Sequence, residues 1–238
     1  NVIVAAMNQS FFSLSLGIGS MAIFGSYLKK ERTLMGEAVN VVCLDTFVAF
    51  TAGLIIFPAC SAFGVEADSG PGLVFITLPN IFNNMAGGRI WGSLFFIFMS
   101  FAALSTVFAV FENIVACVRD LTGWERKTAC LVTGGSLCVL TMPCVLGFTV
   151  LSNVTILGLS IMDFEDFLVS NILLPVGSLL FALFCVARYG WGWDKFMKEA
   201  NEGTGLKVAK WMRLYMTYVV PVIISFILVF GLYNFFKD

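Results

Sequence analysis

"SFFSLSLGIGS", residues 10–20, sits inside an apolar stretch near the start of the chain. A helix that crosses a bilayer needs about 20 predominantly apolar residues, and residues 3–27 supply them. Within that run Ser13, Ser15, Gly17, Gly19 and Ser20 alternate with Leu14, Leu16 and Ile18. Glycine and serine are weak helix formers, and here they fall where hydrocarbon offers no water to an opened backbone. At about 1.5 Å per residue the interruption begins roughly 18 Å into the run, near the midplane. Irregular backbone at that depth persists only where protein buries it or where it lines a cavity. Freed carbonyls and half-helix ends can then hold an ion or a zwitterionic substrate. Close helix packing through small residues is the competing explanation. The hydroxyls of Ser13 and Ser15 favour the first, because plain packing needs no oxygen ligands.

The rest of the 238-residue chain supports a membrane setting. Hydrophobic residues make up 59% and charged residues 12%, where a soluble domain is typically about 25% charged. The chain reads as a polytopic all-α membrane protein. Histidine is absent, so no zinc site of the common kind can be built. No nucleophile–base pair or phosphate loop is visible, which argues against an enzyme. No nucleic-acid partner is indicated. The seven cysteines form no C-x-x-C pair and read as reduced, buried thiols within apolar runs. The chain starts at Asn1 without a charged n-region and short apolar h-region, so it reads as the later part of a longer protein.

Apolar segments lie at roughly 3–27, 37–63, 89–118, 128–147, 164–187 and 211–235, and the expectation is one span for each within a single transmembrane domain over 1–238. Of the 14 Lys and Arg, 12 fall in three connections, 29–32, 119–127 and 188–213; only Arg89 and Lys237 lie elsewhere. Cytoplasmic loops are enriched in Lys and Arg, which predicts that both ends of this chain face outward from a plasma (inner) membrane. Connection 64–88 is then external. Its apolar "LVFITLPNIF" suggests a helical hairpin capping the bundle, with a loop lying on the interface as the alternative.

Asp45 and Glu112 sit well inside apolar segments. Ionisable groups at such depth are costly and face a cavity or a partner. For Glu112 a structural hydrogen-bonding role is the favoured reading, and for Asp45 a functional one. "FAALSTVFAVFEN" (101–113) places Thr106 and Val110 one turn apart on one helix face.

Several stretches resemble the neurotransmitter:sodium symporters, in particular their bacterial amino-acid transporters. "NQSFFSLSLGIGSM" is similar to that family's sixth helix, for which a break at the middle is a known feature. "LDTFVAFTAGLIIFPA" resembles the seventh helix and "GPGLVFITLPNIF" the fourth extracellular loop. "FAALSTVFAVFEN" resembles the eighth helix and "MDFEDFLVSNILLPVG" the tenth. The resemblance implies a LeuT-like inverted-repeat bundle of which this chain holds the second half, helices 6–11. Helices 1–5 would be its missing partner.

Carried over position by position, the resemblance implies a substrate site of Phe12, Ser13, Ser15, Gly17, Ile18, Thr106 and Val110. It implies a first sodium site that includes Ser13 and Asp45, and a second built on Ala102, Ser105 and Thr106. Phe12, Gln9 and Asp166 would form the outer gate. Asp163 is the alternative acid one turn away, and the downstream spacing to Gly190 favours Asp166. Asp45 departs from the asparagine common at its position. Its carboxylate would replace the charge that chloride provides in relatives, and Ala49 lacks the hydroxyl that binds that chloride. Chloride independence is therefore expected. The function expected from all this is sodium-coupled symport of a hydrophobic amino acid by alternating access, with two sodium ions. A sodium-independent carrier or channel, or a chain inactive without helices 1–5, are the alternatives.

Overall fold

The computed structural model describes residues 2–64 and 73–237, so part of the expected cap at 64–88 lies outside the described residues. The expected single span over 3–27 is two helices, α1 (Val2–Ser13) and α2 (Ser20–Tyr27), separated by a turn. There follow α3 (Leu34–Phe63), α4 (Leu78–Asn84), α5 (Gly88–Thr122), α6 (Arg126–Leu140) and α7 (Met142–Gly147). The chain continues through α8 (Ile161–Leu168), α9 (Leu174–Val186), α10 (Trp193–Ala200), α11 (Met212–Leu214) and α12 (Val220–Lys237). Among the described residues no β-strand forms. Among the described residues, five helical stretches are long and apolar enough to cross a membrane: Leu34–Ala62, Gly88–Thr122, Arg126–Gly147, Ile161–Val186 and Met212–Phe235.

Prolines shape these stretches. Three π turns, Leu73–Thr77, Val169–Leu173 and Tyr215–Val219, each end two residues before a proline: Pro79, Pro175 and Pro221. A proline ring has no N–H to donate and crowds the carbonyl four residues back. One wider turn absorbs that crowding without ending the helix. Val169–Val186 thus continues across Pro175, with Asn171 placed in the widened turn.

The chain divides into two compact units, one of residues 1–40 and 111–238 and the other of residues 41–110. The core of the first lies where α1, α9 and α12 meet, with Phe11, Leu174, Ile224 and Ile227 buried together. A satellite cluster of Trp193, Ala200 and Val208 anchors α10 beneath Leu34 and Val186. The second unit packs Cys60, Leu78 and Ile81 against Phe82 and Phe95. All seven cysteines are free, as read from the sequence, but Cys60 alone is buried. Cys130, Cys144 and Cys185 are partly buried, and Cys43, Cys117 and Cys138 are exposed.

Two basic connections of the first unit are tied together. Thr204 donates through its N–H and its hydroxyl to the Glu31 carbonyl (2.9 and 3.1 Å), and Lys30 pairs with Glu202 at 3.1 Å. The hydrogen bond to Glu202, with the charge of Glu199 beside it, holds the Lys30 ammonium above the usual lysine range. Asn201 closes the same loop by accepting from the Val208 N–H at 2.6 Å and donating to the Val208 carbonyl at 3.3 Å.

Candidate functional site

The interruption of the first span is a left-handed excursion. Ser15, Gly17 and Gly19 have φ of 51°, 84° and 89°. A left-handed conformation costs an L-residue roughly 1–2 kcal/mol, so two glycines carry most of this path and Ser15 bears the strain. α1 closes with Ser15 N–H donating to Phe12 O and Leu16 N–H to Phe11 O, both at 3.0 Å. α2 then restarts from the Gly19 carbonyl, which accepts from Ala22 at 3.0 Å and Ile23 at 3.2 Å. The peptides between the two ladders are released from helical bonding, in the middle of an apolar run.

Two neighbours hold this turn. On one side α9 comes so close that a Cβ on Gly177 would fall on the Gly17 carbonyl oxygen, and one on Gly17 on the Leu174 carbonyl oxygen. On the other side the Asn113 side-chain amide of α5 donates to the Ile18 carbonyl at 3.0 Å. Asn113 is buried, at 5% exposure. A cavity of about 450 Å³ adjoins the turn, lined by Ser15, Gly17 and Gly19 together with Ser178, Phe181 and Tyr215. Its walls are almost wholly apolar, and Ser178 Oγ faces it buried and without a hydrogen bond. Phe12 and Ile18, expected to wall the substrate site, do not line this cavity and are 50% and 39% exposed.

Asp45, Ala102, Ser105 and Thr106 belong to the second unit, as does Val110 at its edge. On α5 three oxygens cluster: the Ala102 carbonyl accepts from Ser105 Oγ at 2.7 Å and from Thr106 Oγ1 at 3.4 Å. This all-oxygen, uncharged set suits a hard monovalent cation. Asp45 is partly buried on α3.

The two acids weighed for the outer gate differ in their surroundings. Asp163 is consumed in capping α8: its N–H donates to Ser160 Oγ at 3.2 Å, and Ser160 Oγ–H donates to its carboxylate at 2.6 Å. Asp166 is exposed and accepts from Ser170 Oγ at 3.2 Å. Gln9 is exposed on α1. Beside it Asn8 Nδ2 donates to Asn171 Oδ1 at 2.9 Å, linking α1 to the widened turn that follows Asp166. One helical turn further along, Phe11 meets Leu174 in the core.

Glu112 has the structural environment its sequence context suggested. Its two carboxylate oxygens accept from the Tyr27 hydroxyl at 3.1 Å and from the Arg126 guanidinium at 2.9 Å. The end of α2, the C-terminal part of α5 and the start of α6 converge on one carboxylate. Sequence reasoning missed Asn113, Gly177 and the Asn8–Asn171 pair. A buried-depth asparagine beside Glu112 was a visible signal, but nothing in "PVGSLL" indicated what Gly177 would touch.

With this geometry in hand, comparison with known proteins is decisive. Residues 1–238 match the sodium:neurotransmitter symporter family. The chain belongs to that family. A protein of Bacillus subtilis (strain 168), "Uncharacterized sodium-dependent transporter YhdH", is 33% identical over 98% of this chain and 52% of its own length. An "Uncharacterized sodium-dependent transporter" of Haemophilus influenzae is 35% identical over 97% of this chain and 50% of its length. Among solved structures, MhsT in complex with L-phenylalanine matches with a TM-score of 0.84 and 39% identity, over 95% of this chain and 51% of that one. The symporter fold, LeuT-like and built on a broken helix, is thereby established, and the relatives are transporters rather than enzymes. The chain spans about half the length of the relatives it matches.

Proposed function

We propose that this chain supplies about half of the substrate and ion sites of a sodium-coupled amino-acid symporter that works by alternating access. The observation that carries the reading is the left-handed turn at Leu14–Gly19, where peptide groups are released from helical bonding inside an apolar span. Helices carried by the remaining length of the relatives would complete both sites.

Phe12, Ser13, Ser15, Gly17 and Ile18, with Thr106 and Val110, form our substrate set. Ile18 and Val110 make its wall apolar, which favours a hydrophobic amino acid. MhsT, bound to L-phenylalanine in its crystal structure, supports that class. Ser13 and Asp45 contribute to one sodium site, and Ala102, Ser105 and Thr106 to a second. A ligand drives a conformational change only through its differential affinity for the two states, so sodium acts here by favouring the outward-facing form that accepts substrate. Asp166, free of capping duty, serves with Gln9 and Phe12 at the outer gate. The pairing of connections 29–32 and 188–213 supports one side for the basic loops, which we assign to the cytoplasm, with both chain ends outside.

The test is equilibrium binding of radiolabelled L-phenylalanine and L-leucine to the purified full-length protein, in sodium and in potassium. Binding that requires sodium supports the reading. Binding equal in the two salts argues for a sodium-independent carrier.

A further inference from the structure

Of the carbonyls that the turn releases, one receives a side-chain bond from a buried group. Ile18 O is passed over by the α2 ladder, which starts from Gly19 O, and Asn113 Nδ2 reaches it at 3.0 Å. A buried asparagine in an apolar helix is expensive unless its amide is used. Asn113 itself is 5% exposed, so its amide gains little from solvent and this bond answers for its donor. The preceding residue, Glu112, binds the Tyr27 hydroxyl at the far end of α2. Consecutive residues of α5 therefore hold the half-helix α2 at both of its ends.

We propose that Asn113 is a positioning residue for transport, which fixes the Ile18–Gly19 peptide and through it the substrate-facing side of the turn. The assignment rests on the reading above that this turn forms the substrate site. A trans peptide points its C=O and N–H in opposite directions within one plane. Pinning the Ile18 carbonyl toward α5 therefore aims the Gly19 N–H away from α5. The same bond sets the orientation of the peptide that follows the Ile18 side chain, so the wall of the pocket is held from behind by a residue that need not touch substrate. The same amide also borders Gly19, where a built Cβ would stand at ordinary contact distance, 3.7 Å, from Asn113 Oδ1. Without the donor, the peptide rotates among several orientations and the site must be re-ordered each time substrate binds.

The experiment measures sodium-dependent uptake by the full-length protein in proteoliposomes for Asn113→Leu, of similar shape without a donor, and for Asn113→Ser, whose hydroxyl falls short of Ile18 O. Val115→Ala is the control: it removes packed volume two residues along α5 and takes away no hydrogen-bond donor. One hydrogen bond contributes about 0.5–1.5 kcal/mol, so KM for substrate should rise about two- to tenfold in both Asn113 variants. Asn113→Gln, which keeps the amide, should recover part of the loss. Val115→Ala should lower the melting temperature with KM unchanged. The serine variant carries the test if the leucine variant does not reach the membrane. Wild-type KM in the Asn113 variants, or an equal KM change in Val115→Ala, overturns the assignment while leaving the transport reading intact. Absence of sodium-dependent uptake in the unmutated protein overturns both.

Discussion

Gly17 and Gly177 meet backbone to backbone, with no room for a Cβ on either. Gly17 also has φ of 84°, so Gly17→Ala combines a clash with a strained backbone, whereas Gly177→Ala adds the clash alone. Forcing extra atoms into a packed contact typically costs about 1–3 kcal/mol. Both variants should melt at lower temperature in detergent, Gly17→Ala more so. Gly25, inside α2 with nothing within 4 Å of its Cβ position, provides the contrast: Gly25→Ala should hold or raise stability, by up to about 1 kcal/mol. Three indistinguishable melting curves would contradict the packing described.

Adjacent phenylalanines should respond in opposite ways. Phe11 is 8% exposed in the core with Leu174 and Ile227, and Phe12 is 50% exposed. Phe11→Ala removes packed volume and should cost about 3 kcal/mol or more, read as a fall in melting temperature. Phe12→Ala should leave melting nearly unchanged and raise the KM for substrate.

The Glu112–Arg126 pair is partly solvated, with side chains 26% and 60% exposed. Such pairs contribute about 0.2–1 kcal/mol, so Glu112→Gln should cost little stability. Its larger effect should be on transport, because the Tyr27 end of α2 loses its charged acceptor. The double exchange Glu112→Arg with Arg126→Glu restores the ion pair but moves the acceptor. Recovery of stability without recovery of rate is the expected split.

Asp45 tests the charge argument. Asp45→Asn removes the carboxylate that we assign to a chloride-like role, so apparent sodium affinity should fall and uptake should become sensitive to replacing chloride with gluconate. Unchanged sodium affinity together with unchanged chloride independence would rule the idea out.

How far the sequence reached can be followed residue by residue. The break between α1 and α2 was legible because two glycines and three serines stand in a run otherwise apolar enough to span a bilayer. Glu112 was legible as an ionisable group that needed partners, although Tyr27 and Arg126 were not named. Pro79, Pro175 and Pro221 were visible, yet their effect was not. A proline in an apolar run can end, kink or widen a helix, and the choice depends on neighbouring helices. The link between Glu31 and Thr204 joins residues 173 apart in sequence, which no local pattern encodes. Asn113 was visible only as the residue after Glu112, because its acceptor exists only once the distant turn has opened. Local chemistry thus marked the turn, while the contacts that hold it came from packing.

Sodium coupling at the broken helix is tested most directly by concentrative uptake. Full-length protein in proteoliposomes, given an inward sodium gradient, is followed with radiolabelled L-phenylalanine. The account predicts accumulation above the external concentration, collapse of that accumulation when a sodium ionophore dissipates the gradient, and no effect of replacing chloride. Equal, non-concentrative uptake with sodium or potassium outside would contradict it.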